Sequence, residues 1–141
     1  MSDPASASGG CLCGAVRYRY PLPLGAANYC HCVDCRRVTG SAFNIGIRLE
    51  QALLQISGVL RSYSHAGGSG QAVERLFCGQ CGSPLFTRHP ARPESVWVRA
   101  GGLDDPALVQ PGWASWASQR VAWAVPPEGL TEFPRNRISH F

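Results

Sequence analysis

Cys30, Cys32 and Cys35 fall within six residues, inside Asn28-Tyr29-Cys30-His31-Cys32-Val33-Asp34-Cys35-Arg36-Arg37. The other four of the seven cysteines form two pairs, Cys11 with Cys13 and Cys78 with Cys81. Tetrahedral zinc takes four protein ligands in a closed structural site, and three in a catalytic site that keeps one position open. Seven thiols divide on that rule into one four-cysteine site and one three-cysteine site. A disulfide framework is the competing reading. The odd cysteine count, the lack of an apolar leader in Met1 to Gly10 and the CxC and CxxC spacings all oppose it.

The two pairs suit a closed site. In Cys78-Gly79-Gln80-Cys81-Gly82 the intervening residues make a tight turn whose N–H groups face sulfur, and Gly82 supplies the positive φ such a turn needs. Cys11 and Cys13 stand two apart in an extended segment and so share a face. Together the four clamp the start of the chain to its middle, and the metal's binding energy becomes folding energy.

The triplet suits an open site. Three cysteinates give a zinc complex a formal charge of −1, which weakens its Lewis acidity. Activation of water is thereby disfavoured, and thiol chemistry is favoured, because zinc holds a bound thiol as thiolate. Arg36 and Arg37 can offset the charge or hold a substrate carboxylate. The alternative is a second structural zinc completed by His31 or a distant residue. An extended backbone at Cys30 and Cys32 points His31 to the opposite face, making it a poor ligand. His65, His89 and His140 are assigned no role.

The elements that position these residues read as short strands. In 141 residues there are 16 Gly and 11 Pro, a balance that favours turns and strands over long helices. Residues 1–9 are Ser-, Ala- and Gly-rich and read as a disordered tail. Residues 10–141 read as one zinc-binding domain of catalytic type. Tyr18 and Tyr20 alternate with Arg17 and Arg19 in a half-buried strand, with Ala26 to Cys30 as its return strand. Val33 to Thr39 is a helical turn closed by Gly40. Phe43, Ile45, Ile47 and Leu49 line one face of the next strand. Val59 to His65 and Val73 to Phe77 flank the hairpin tip Ala66-Gly67-Gly68-Ser69-Gly70, and Pro84 to Arg88 and Val96 to Ala100 are further strands. Asp104 and Asp105 cap a turn. Trp113, Trp116 and Trp123 mark the last core segments, before an extended tail that packs through Leu130 and Phe133.

Charge and hydropathy exclude some functions. All thirteen basic residues are Arg, and they are scattered, so there is no nucleic-acid footprint. No apolar run is long enough for a membrane helix. Clustered reduced thiols fit a cytoplasmic chain.

Three stretches resemble the glutathione-dependent formaldehyde-activating enzyme family, which also includes centromere protein V. They are Gly10-Cys11-Leu12-Cys13-Gly14-Ala15-Val16-Arg17-Tyr18, Cys30 through Phe43, and Phe77-Cys78-Gly79-Gln80-Cys81-Gly82-Ser83-Pro84-Leu85, with Gly101-Gly102-Leu103-Asp104-Asp105-Pro106 as a weaker fourth. The resemblance runs from about Gly10 to Phe133. It implies a mainly β, β-tent fold of short antiparallel sheets around a structural zinc held by Cys11, Cys13, Cys78 and Cys81. It also implies a second zinc at Cys30, Cys32 and Cys35. The implied activity is that of a carbon–sulfur lyase, condensing glutathione with formaldehyde to S-hydroxymethylglutathione. On that reading the thiol takes the open position as thiolate and attacks the aldehyde carbon, with Arg36, Ser41 and Phe43 as substrate-binding candidates. The alternatives are a zinc-stabilised binding module without catalysis, or action on a different thiol or aldehyde. In Pro111-Gly112-Trp113-Ala114-Ser115-Trp116, Trp113 stands near the position where the family often has His, a departure that bears on substrate choice.

Overall fold

Strict alternation lays out the first sheet. In strand β2 (Arg17–Pro21) Tyr18 and Tyr20 are buried while Arg17 and Arg19 face water, as a one-sided sheet requires. The computed structural model describes residues 5–137. Strand β1 (Ser6–Gly10) pairs antiparallel with β2, and β2 also pairs with β5 (Gln55–Ser57).

The expected disordered tail is therefore corrected from Ser6 onward. Its small residues serve close packing. A Cβ added to Gly9 would lie 2.3 Å from the Tyr18 hydroxyl and 2.5 Å from the Gly102 carbonyl oxygen, so only glycine lets β1 approach that closely. Met1 to Pro4 lie outside the described residues.

The second sheet carries the remaining strands. They are β3 (Ala27–Cys30), β4 (Asn44–Glu50), β6 (Leu60–Ala66), β7 (Ala72–Cys78), β8 (Pro84–Arg88), β9 (Ser95–Arg99), β10 (Trp113–Ser115) and β11 (Thr131–Glu132). Their order is β11-β10-β3-β4-β9-β8-β7-β6. Pairing is antiparallel except that β10 runs parallel to both β3 and β11, which the expectation of antiparallel sheets did not include. Nor does β3 return against β2. Both edges of β2 are taken by β1 and β5, and β3 pairs with β4 instead.

Register divides this sheet into two chemically distinct faces. Ala27 opposes Ile47, Ile47 opposes Val98, Val98 opposes Phe86, and Phe86 opposes Leu76. That ladder is buried against Tyr18 and Tyr20 of the first sheet and Val16 just before it, with Tyr18 and Phe86 in edge contact at 5.3 Å. The residues between them fall on the other face: Arg48 opposes Trp97, Trp97 opposes Thr87, and Thr87 opposes Arg75. A hydrophobic core thus fixes the register, and the register sets a row of polar side chains on the far face.

Helix α1 (Val33–Thr39) has the bounds expected from the sequence, makes about two turns where one was expected, and ends at Gly40 with φ of 69°, a left-handed cap. Asp105 accepts from the Ala107 amide as a turn cap, whereas Asp104 forms a forked pair with Arg17. Trp116 is buried, but Trp123 is 75% exposed and does not belong to the core. It precedes Pro126 and Pro127, which have no N–H to give a strand ladder. The chain after it returns through β11, and the Phe133 amide bonds the Ala114 carbonyl at 2.9 Å.

Candidate functional site

The four sulfurs of Cys11, Cys13, Cys78 and Cys81 lie within 4.8 Å of one another, as do the three of Cys30, Cys32 and Cys35. Cys11 and Cys13 sulfurs are 3.6 Å apart, and Cys13 and Cys78 sulfurs 3.8 Å. These separations exceed a disulfide bond of about 2.05 Å. They match the edge of a tetrahedron with Zn–S bonds of about 2.3 Å, whose sulfurs stand roughly 3.8 Å apart. The donor set therefore fits a thiophilic ion such as zinc.

Local backbone prepares the four-cysteine group for charge. The Val16 amide donates to Cys11 Sγ at 3.2 Å, and the Gln80 and Cys81 amides donate to Cys78 Sγ at 3.3 and 3.4 Å. Gly82, at φ of 78°, closes the turn that aims them. The Ser83 hydroxyl lies 3.2 Å from Cys81 Sγ, and its hydrogen bond, joined by backbone N–H groups, brings the Cys81 thiol down to about 5.

The triplet is assembled at a strand–helix junction. Cys30 ends β3, Cys32 caps α1, and Cys35 is the helix's buried residue. Cys32 Sγ accepts from the Cys35 amide at 3.2 Å, so a sulfur occupies the place of the usual capping oxygen. Cys35 is held well below the ordinary thiol range by hydrogen bonds from Cys30 and Cys32, then by the positive charges of Arg75 and Arg99. Cys30 moves up, because it shares its proton with the other two. His31 is fully buried on the opposite face, its ring in edge contact with Phe43 at 5.6 Å. It is not part of the sulfur group.

A cavity of about 120 Å³ opens beside the triplet on the polar face of the second sheet. Its walls follow the period-two rule. Asn28 and Cys30 come from β3, Asn44 and Gly46 from β4, Val73 and Arg75 from β7, and Thr87 with His89 from β8 and its exit. Trp97, Trp116 and the tip Gly67-Gly68-Ser69 close it. The Trp116 indole N–H donates to Asn136 at 2.6 Å, and Trp116 itself takes φ of 55°, rare for a bulky residue. His89 packs edge-on against Trp97 at 4.9 Å, and burial, then Arg75, lowers its ring to about 4, so it is neutral at neutral pH.

Three comparisons bear on this arrangement. The family model for glutathione-dependent formaldehyde-activating enzyme matches residues 6–119, well over half the chain. This chain belongs to the glutathione-dependent formaldehyde-activating enzyme family. Within that family it is similar to a protein of Halomonas elongata named as a putative glutathione-dependent formaldehyde-activating enzyme. The two are 32% identical over 104 residues, 68% of this chain and 64% of the relative, so the match spans less than two-thirds of that protein's length. A crystal structure of a Rhodobacter sphaeroides protein shares the fold with a TM-score of 0.53 and 26% identity, covering 69% of this chain and 87% of that one.

The structure brings together both expected groups of cysteines. Arg36, Ser41 and Phe43 do not line the cavity. Phe43 packs on Tyr29 and His31, on the side of β3 away from Cys30 and Cys32, because neighbouring residues of a strand alternate. Ser41 and Phe43 border a separate open groove. Arg36 is half-buried on α1. The cavity is instead built by Asn28, Arg75, His89 and Trp97, none of them singled out from sequence. Trp113 opposes Asn28 and lines a small pocket that continues from the cavity past Asn28 and Trp97. His140 lies outside the described residues.

Proposed function

We propose that this chain is a zinc-dependent carbon–sulfur lyase-type enzyme that joins a thiol such as glutathione to formaldehyde or a comparably small aldehyde. The observation that carries this reading is the cysteine triplet facing a cavity with three sulfurs, in contrast to the four-cysteine group, whose four sulfurs complete a tetrahedral donor set by themselves. Cys30, Cys32 and Cys35 would hold the second zinc, and Cys11, Cys13, Cys78 and Cys81 the first. Zinc at the triplet would supply the charge that keeps an added thiol ionised at neutral pH.

The chain's own residues account for the rest. The cavity's small volume admits the thiol-bearing end of a substrate and a one- or two-carbon carbonyl, leaving a tripeptide's ends at the mouth. In the addition, a C–S bond forms, the carbonyl π pair moves to oxygen, and that oxygen takes up the proton that the thiol gives up. Neutral His89 and the amide of Asn44 line the cavity as donors for that oxygen, while the Asn28 amide nitrogen already donates to the Tyr29 carbonyl and the Ser115 hydroxyl. Trp97 and Trp116 keep water out. Seven free thiols and a glutathione substrate fit a reducing, cytoplasmic setting.

The test is adduct formation followed by exchange NMR, with zinc-loaded protein, glutathione and formaldehyde. Exchange well above the spontaneous rate supports the reading. A rate equal to the spontaneous one, with both metal sites filled, contradicts it.

A further inference from the structure

Two buried arginines share the triplet's face of the second sheet, and neither pairs with a carboxylate among the described residues. Arg75 and Arg99 are 9% and 7% exposed. Arg75 lines the cavity with Cys30, Cys32 and Cys35. Arg99 follows Trp97 by two residues in β9 and so shares its face of the sheet. It stands opposite Gly46, which has no side chain to fill the space. Its Nε and Nη1 are buried without a hydrogen-bond partner among the described residues. A guanidinium cannot give up its charge, so burying one unpaired is costly unless an anion faces it.

The sulfurs are the anions available. Arg75 lines the cavity together with all three cysteines, and Arg99 stands on the same face of the sheet two strands from Cys30. Among the described residues, the other ionisable groups at the cavity are Asp34, half-exposed on α1, and neutral His89. Three cysteinates around a divalent ion carry one net negative charge. A fourth thiolate would make it two, and two guanidiniums match two.

We propose that Arg75 and Arg99 form a buried cationic counterweight that makes the three-cysteine site select an anionic fourth ligand, a thiolate, over a neutral one of similar size. This rests on the reading of the triplet as an open metal site. The arginines act through the field at the sulfurs, so their charge matters more than their shape.

Cobalt(II)-loaded full-length protein tests this, since the visible spectrum of the metal reports its ligands independently of turnover. The four-cysteine site gives a constant background. At one fixed pH the protein is titrated with 2-mercaptoethanol and, separately, with imidazole as the neutral ligand. Arg99→Gln and Arg75→Gln should each weaken thiol binding roughly tenfold or more, with imidazole changed by less than about twofold. Arg99→Lys and Arg75→Lys should recover most of the thiol affinity. If the arginines merely pack the sheet, the Gln variants will lose both ligands equally or neither, which overturns the inference. Should Arg99→Gln fail to fold, the Arg75 pair carries the same comparison. Wild-type cobalt protein whose spectrum ignores thiol would instead refute the open-site reading itself.

Discussion

Arg75 Nε donates to His65 Nε2 at 3.1 Å, and His65 Nδ1 lies 3.0 Å from the Ala66 carbonyl oxygen. The carbonyl can only accept, so the ring proton sits on Nδ1 and Nε2 is left to receive the arginine. One hairpin residue thus fixes the direction of a guanidinium that faces the cysteine triplet from β7. Replacing His65 by Phe keeps a planar ring and removes the acceptor. A single hydrogen bond to a charged group is worth about 1.5–3 kcal/mol. His65→Phe should therefore raise KM for the thiol by about tenfold or more, with kcat within about twofold. Steady-state kinetics at fixed aldehyde measures this, and an unchanged KM removes His65 from the account.

The first strand makes a prediction about stability. Gly9→Ala places a methyl against the Tyr18 hydroxyl and the Gly102 backbone oxygen. Overpacking of this kind costs about 1–3 kcal/mol. Because one of the clashing atoms is backbone, adding Tyr18→Phe should restore only part of the loss. Thermal unfolding of the single and double variants decides it. A wild-type melting temperature for Gly9→Ala would mean that the strand is not held as close as described.

His89 gives a pH dependence of definite sign. Its folded-state value lies at about 4, below the ordinary 6.5. Between these the unfolded chain binds the extra proton, so this residue's contribution to stability is intact above pH 6.5 and is lost as pH falls toward 4. Cysteine protonation acts over part of the same range, so the useful quantity is a difference. Wild type should lose more stability than His89→Asn between pH 6.5 and 4.5 in denaturant titrations of both proteins. Parallel losses would show that the His89 ring is solvated.

Much of the site was legible in the sequence, because ligand spacing is a local property. Cys30, Cys32 and Cys35 lie on one junction, and the tight turn at Cys78 to Gly82 follows from its own residues. The pairing of Cys11 and Cys13 with that turn followed from ligand arithmetic. Most strands also showed in their alternation. What could not be read was order across the sheet. Nothing in Ala27–Cys30 says that β4 and not β2 is its neighbour, and that choice decides which side chains meet beside the triplet. Arg75, His89 and Trp97 come together only through the ladder from β4 to β7. The glycines of β1 read as flexibility because the Tyr18 ring that needs them lies across a hairpin.

The division of seven cysteines into a closed folding site and an open working site is tested most directly by the zinc content of folded Cys32→Ser. Structural zinc contributes roughly 10–16 kcal/mol of apparent binding energy in zinc-finger peptides. That rivals the ~5–15 kcal/mol net stability of a whole domain. Cys81→Ser, which opens the four-cysteine site, should accordingly leave the protein insoluble or unfolded. Cys32→Ser keeps the ladder from Ala27 to Leu76 and the other metal. It should remain folded with close to one zinc per chain, against two in the wild type, and should form no thiol adduct. A Cys32→Ser protein that unfolds as badly as Cys81→Ser, or that keeps two zincs, would contradict the division.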